Sequence, residues 1–201
     1  MQTVDWSAYS FKTVVPTFPK DGYKVLDLSN PDPSWANDEA GNLWTIGKYN
    51  EDRSIYTTEL YSDGRSVHVG LDIGGPVGTP VHAFLDGKIH SAGYNSAAGD
   101  YGHVVVTEHS LGGVTLWALF GHLDARSSSA KWQPGATFAA GDVLGWFGDK
   151  SENGGWPPHL HLQLSFKEPP THDMPGAVRQ DERDEMLEIY PDPQLVTGKF
   201  Y

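Results

Sequence analysis

From Ser66 onward, apolar residues recur in short runs broken by Gly, Pro, Asp or Asn. SVHVGLDI (66–73), PVHAFLDGKIHSAGY (80–94), GHVVVTEHS (102–110), GVTLWALFGHL (113–123), VLGWFGD (143–149) and HLHLQLSF (159–166) are rich in β-branched and aromatic types. Runs of this length predict strands, and their regular spacing predicts an antiparallel sheet or sandwich. Asp86-Gly87, inside the second run, is a two-residue hairpin signal, because such a turn needs φ > 0 at both central positions. Upstream, VVPTFP, YKVLDLS and SIYTTELY read as short strand-like pieces around the loop NPDPSWAND. The charged stretch AVRQDERDEMLEIY (177–190) reads as a surface helix ending at Pro191-Asp192-Pro193. The expected architecture is mainly β, an antiparallel sheet or sandwich with few short helices. It forms a single domain over 1–201: an N-terminal extension (1–60) packed on the sheet, a core (66–166) and a C-terminal tail (167–201).

Composition narrows this picture. A chain of 201 residues fits one domain, and 23 Gly with 14 Pro suit a turn-rich β architecture. Fourteen Lys plus Arg against 26 Asp plus Glu leave a net charge of −12, which repels nucleic acid and anionic lipid. No run reaches the roughly 18 apolar residues of a membrane span, and MQTVDWSAYSFK shows no basic region followed by an apolar stretch. The expectation is therefore a cytoplasmic protein, with a periplasmic or extracellular location following only for a processed form. With no cysteine, thiolate metal sites are excluded, and His, Asp and Glu are the remaining zinc ligand types. Oligomeric state stays open.

Nine histidines make a single His-x-His weak evidence. His159-Leu160-His161 gains from its place at the start of a strand, after Gly-Gly-Trp-Pro-Pro, because residues two apart face the same side. One imidazole can bind a metal while the other serves a reaction. His68-x-x-x-Asp72 poses a distance problem: four residues of regular strand cover about 13 Å, too far for one ion. Gly70 can take a conformation closed to other residues and bend the strand, so that the two side chains converge. His82-x-x-x-Asp86 has the same spacing but no glycine inside it, and Asp86 is taken up by the turn, so that pair is read as structural. His122 follows Leu116, Ala118 and Phe120 on one face of its strand and falls at the rim. His90, His103, His109 and His172 lack partners at ligand spacing and are read as structural. Two His and one Asp would leave tetrahedral zinc one open position, the mark of a catalytic site, with His122 and His159 available for proton transfer.

The order His-x3-Asp, Gly-His-Leu, His-Leu-His resembles the M23 (LytM/lysostaphin-like) zinc metallopeptidases. The likeness runs segment by segment through SVHVGLDIGGPVGTPVHAFLDGKIHSAG, YGHVVVTEHSLGGVTLWALFGHL, PGATFAAGDVLGWFGD and PPHLHLQLSF. It implies one zinc ion per chain held by His68, Asp72 and His161, a catalytic pair His122 and His159, and a β-sheet groove open at the metal. The implied activity is hydrolysis of a peptide bond in a peptide or peptidoglycan-like substrate. A narrower resemblance, through KVLDLS, IGKYNEDRSIY, ENGGWPPHLHLQ and YPDPQL, is to the M23 module fused to phosphotransferase and class III aminotransferase domains, which loosens the link to peptidoglycan. Two other functions stand beside the first: a non-catalytic zinc-containing binding or regulatory module, and a cytosolic amidase on a non-wall substrate. Residues 1–60, with polar Asn37, Asn42 and Asn50 in loop-like settings, are expected either to lie along the groove or only to extend the sheet. Glu152, Asn153 and Trp156 are expected to wall the cleft.

Overall fold

The computed structural model describes residues 4–37, 42–128 and 132–201. Its strands in chain order are β1 (Lys24–Val25), β2 (Thr45–Gly47), β3 (Glu51–Asp52), β4 (Arg65–His68), β5 (Leu71–Gly74), β6 (Pro80–His82) and β7 (Gly87–Asn95). They continue with β8 (Gly102–Leu111), β9 (Val114–Leu123), β10 (Thr137–Phe138), β11 (Val143–Trp146), β12 (His159–Ser165) and β13 (Ala177–Arg179), followed by two short helices, α1 (Arg183–Ile189) and α2 (Gln194–Thr197). Among the described residues, eight strands form the main sheet in the order β1-β2-β5-β12-β9-β8-β7-β10, beside a three-stranded sheet β13-β4-β3 and a two-stranded one β11-β6. The expected mainly β, antiparallel architecture is present. No described helix is long and apolar enough to cross a membrane.

Alternation on β12 explains both the core and the site. Leu160, Leu162 and Leu164 are fully buried against Leu71, Ile73, Ala118, Phe120 and Phe147, each contributing about 1.5–3 kcal/mol of apolar burial. His161 and Gln163 face the opposite side. There Tyr101, Val104, Val106, Leu119 and Met174 form a smaller cluster.

Four expected elements differ, the first being VVPTFP (14–19), which holds turns and no strand. The hairpin at Asp86-Gly87 does not form: β6 pairs with β11, while β7 pairs with β8 and β10. Asp86 Oδ1 instead accepts from the Ala140 amide at 2.7 Å, and Gly87 belongs to β7, where a Cβ would lie 2.6 Å from the Glu108 carbonyl oxygen. The tight turn sits at Gly112-Gly113, whose φ values of +60° and +89° supply the left-handed pair that joins β8 to β9. SIYTTELY contains no strand but a short 3-10 turn at Glu59–Tyr61, its aromatics facing a cavity rather than a ladder. The charged stretch 177–190 is helical only over α1, and β13 is no surface element. It pairs Ala177 with His68 and buries Val178 against Val67, Val69 and Tyr190.

Candidate metal centre and active site

The run SVHVGLDI is broken at Val69-Gly70: β4 belongs to the three-stranded sheet and β5 to the main one. That change of sheet brings His68 Nε2 to 3.3 Å from Asp72 Oδ1. Convergence at Gly70 is as expected, but the reason is different. Gly70 is not among the residues with positive φ; it is glycine because a Cβ would lie 2.3 Å from His161 Cε1 and 2.5 Å from Nε2. The missing side chain makes room for the third imidazole. On β12, His161 sits in register with Asp72 on one side and Gly121 on the other. Its Nδ1 lies 3.1 Å from Asp72 Oδ1 and 3.0 Å from His68 Nε2. These three buried side chains offer ligand atoms that all lie within 4.8 Å of one another.

The outward nitrogens fix the tautomers. His68 Nδ1–H donates to the Lys48 carbonyl at 2.9 Å, and His161 Nε2–H donates to Gln163 Oε1 at 3.1 Å. Gln163 is itself oriented by donation to the Pro175 carbonyl and by the Tyr101 hydroxyl. Burial, reinforced by the Arg53 charge, holds His68 neutral by lowering its pKa to about 4. Burial would raise the Asp72 carboxyl, but its charged surroundings, with the Arg53 guanidinium 2.6 Å from Oδ2, outweigh it and hold it well below the usual range. In these tautomers the lone pairs of His68 Nε2 and His161 Nδ1 face the Asp72 carboxylate oxygen. A cation is what satisfies such a donor set.

His122 reaches the site by an irregularity. Leu116, Ala118 and Phe120 point into the main core, so regular alternation would send His122 there with them. Instead the β8–β9 register shifts between His103 and Val105, and His122 has φ +61°, a bulge that turns its ring to the groove face. The expected sharing of a face with Leu116, Ala118 and Phe120 is thus corrected. The His122 ring lies 4.2 Å from that of His159 and 6.1 Å from that of His161. Nδ1–H of His122 donates to the Asn153 carbonyl at 2.8 Å, and Nδ1–H of His159 donates to that of Pro157 at 2.7 Å. His159 Nε2 stands 3.9 Å from Asp72 Oδ1, farther than either ligand-type ring. Burial lowers the pKa of both rings, and for His122 the neighbouring histidines add to it. Each therefore turns a neutral, unprotonated Nε2 to the groove.

These residues floor a cavity of about 390 Å³. The N-terminal segment does both things considered for it: β1 and β2 extend the main sheet beside β5, while Leu26, Leu28, Leu43, Ile55 and Tyr56 wall the groove. The asparagines are not what lines it. Asn50 accepts from Arg183 Nε at 2.7 Å, and Asn37 and Asn42 lie outside the lining. Trp156 walls the cleft as expected, whereas Glu152 accepts from the Ala125 amide and buried Asn153 braces its own loop. His82 and Asp86 stay outside the cluster, His82 Nδ1 donating to the Gly141 carbonyl. Arg53, the Lys48 and Asn153 carbonyls, Tyr101 and Gln163 were not foreseen. Only Gln163 carried a usable signal, two residues beyond His161 on the same strand face.

Residues 66–172, over half the chain, match Peptidase family M23. The chain is a member of that family. This M23 chain is 34% identical over 116 residues to the DD-carboxypeptidase/endopeptidase Mpg of Neisseria meningitidis, and equally to that of Neisseria gonorrhoeae. The alignment takes in 58% of this chain and 24% of each relative, so the M23 chain spans about a quarter of the length of the curated relatives it matches. Among solved structures it is similar to the catalytic domain of lysostaphin from Staphylococcus simulans, with 22% identity, a TM-score of 0.48 and coverage of 74% of this chain and 93% of that one. It is also similar to a zinc containing peptidase from Vibrio cholerae, with 24% identity, a TM-score of 0.43 and coverage of 58% and 31%.

Proposed function

We propose that the protein is a zinc-dependent metallopeptidase that hydrolyses a peptide amide bond. The observation that carries this reading is the meeting of His68 Nε2, His161 Nδ1 and Asp72 Oδ1 within 3.3 Å of one another. Two neutral imidazoles and one carboxylate suit zinc, and leave it an open position. When bound, zinc supplies Lewis acidity: it polarises a peptide carbonyl and makes water a nucleophile near neutral pH.

The chain supplies the rest. With their Nδ1–H groups committed to the Asn153 and Pro157 carbonyls, His122 and His159 present Nε2 as a proton acceptor. One takes the proton released by the attacking water, and the protonated ring then donates to the developing oxyanion or the leaving amine. Leu26, Leu28, Leu43 and Ile55 give the groove an apolar wall that suits a slim, unbranched peptide. A peptide bond of a peptidoglycan-like substrate is the target this reading favours, and the Neisseria relatives are named as a DD-carboxypeptidase/endopeptidase.

The test is metal analysis of the pure protein with a peptide-library cleavage assay, including peptidoglycan fragments and free small amides. We expect one zinc per chain and cleavage that a chelator abolishes and zinc restores. Cleavage unaffected by chelation would overturn the proposal. Zinc without cleavage of any peptide or amide would point to a binding module.

A further inference from the structure

Arg53 lies outside the M23 match, yet its guanidinium is built into the metal cluster. It is 4% exposed, and each of its nitrogens has a partner. Nη1 donates to Asp72 Oδ2 at 2.6 Å and to the Tyr56 hydroxyl at 3.1 Å, Nη2 to the Lys48 carbonyl at 3.1 Å, and Nε to Glu51 Oε2 at 3.2 Å. The Lys48 carbonyl is the same one that accepts from His68 Nδ1. One planar cation thus reaches two of the three cluster side chains, Asp72 directly and His68 through a shared acceptor. Glu51 completes the frame, its Oε1 accepting from the Leu28 amide and pairing with Lys48 Nζ at 2.9 Å. Space is reserved for the pair: a Cβ on Gly47 would fall 2.8 Å from both Arg53 Nη2 and Asp72 Oδ2.

We infer that Arg53 is a positioning residue for the metal cluster, holding Asp72 by Oδ2 so that Oδ1 alone is turned to His68 and His161. This rests on the metallopeptidase reading above. A carboxylate free to rotate could present either oxygen or both; one whose Oδ2 is tied by a charge-assisted hydrogen bond from an anchored guanidinium presents the other. Lysine keeps the charge but offers a single ammonium that cannot reach Asp72, Glu51 and the Lys48 carbonyl together. The role therefore belongs to the guanidinium shape and not to the charge. It also makes the N-terminal segment part of the centre, since Lys48, Glu51 and Arg53 all precede the M23 match.

The experiment compares the full chain with Arg53→Lys and Arg53→Gln. Zinc affinity is measured by competition with a chromophoric chelator, coordination by the visible absorption of the cobalt-loaded protein, and folding by circular dichroism of the metal-free protein. We expect zinc binding about 10–100-fold weaker in both variants, with an altered cobalt spectrum and a metal-free fold retained in Arg53→Lys. Arg53→Lys binding zinc within threefold of the original, with an unchanged cobalt spectrum, would overturn the inference and leave the metallopeptidase reading standing. Tighter zinc binding by Arg53→Gln would also overturn it, by showing that the guanidinium acts only by repelling the ion. If the original chain itself binds no zinc, both readings fall. Should Arg53→Gln not fold, Arg53→Lys alone decides.

Discussion

At Gly70 one methyl group decides whether the third imidazole reaches the cluster. Its φ is ordinary, so alanine costs little in backbone terms, but the added carbon would sit 2.3 Å from the His161 ring. Gly70→Ala should therefore keep the fold and lose at least tenfold in zinc affinity, read by circular dichroism and chelator competition. Replacing His122 or His159 by alanine should retain zinc and reduce kcat about 10²–10⁴-fold, whereas His161→Ala should lose the metal. Steady-state kinetics and metal analysis separate the two classes. Away from the site, His109 is 1% exposed between Thr107, Phe84 and the Asp86 carbonyl, and burial lowers its pKa to about 4 from 6.5. Between those values the unfolded chain binds a proton that the folded one refuses, so stability falls as pH falls from 6.5 towards 4, by on the order of 3 kcal/mol in all. Urea unfolding of metal-free His109→Gln should show a shallower acid loss over that window. The grouping of His68, Asp72 and His161 was the most legible part of the chain, because His-x3-Asp and His-Leu-His sit at readable spacings. Arg53 was not legible: it meets Asp72 across 19 positions by an ion pair that leaves no period in the sequence.

Among the elements, β9 shows what periodicity cannot foresee. Strict alternation puts His122 in the core with Phe120, and only a bulge with His122 at φ +61° turns it to the groove. A histidine held in the left-handed region carries strain of about 1–2 kcal/mol relative to an extended conformation. Metal-free His122→Gly should therefore be more stable than His122→Ala by about 1 kcal/mol in urea unfolding, since both lose the ring and only glycine accepts the backbone freely. Equal stabilities would show that the bulge relaxes when the ring is gone. The same limit explains the misplaced hairpin. Asp86-Gly87 has the composition of a tight turn, but the Asp86 side chain is taken by the Ala140 amide, a partner 54 residues away. The real turn, Gly112-Gly113, bears the same left-handed requirement with a less diagnostic pair of residues.

Across the whole molecule, the metal cluster joins two sheets that share no ladder. His68 comes from the three-stranded sheet, Asp72 and His161 from the main sheet, while Lys48 and Arg53 tie in the N-terminal segment and Ala177 pairs the tail to His68. Repeated strand-like runs made the β class and the antiparallel main sheet readable. The division into sheets was not readable, because the break at Val69-Gly70 depends on which neighbours β4 and β5 find. An ion held at that junction should stabilise the fold as a unit. At free zinc 100-fold above Kd, linkage adds about 2.7 kcal/mol to unfolding, so chelation should lower the thermal midpoint in one cooperative step rather than release one part first. Calorimetry with zinc and with chelator tests this: His161→Ala should lose the metal-dependent increment entirely, and His109→Gln should keep it. A zinc-independent midpoint in the original chain would mean that the two sheets are held by packing alone and that the cluster adds nothing to their union.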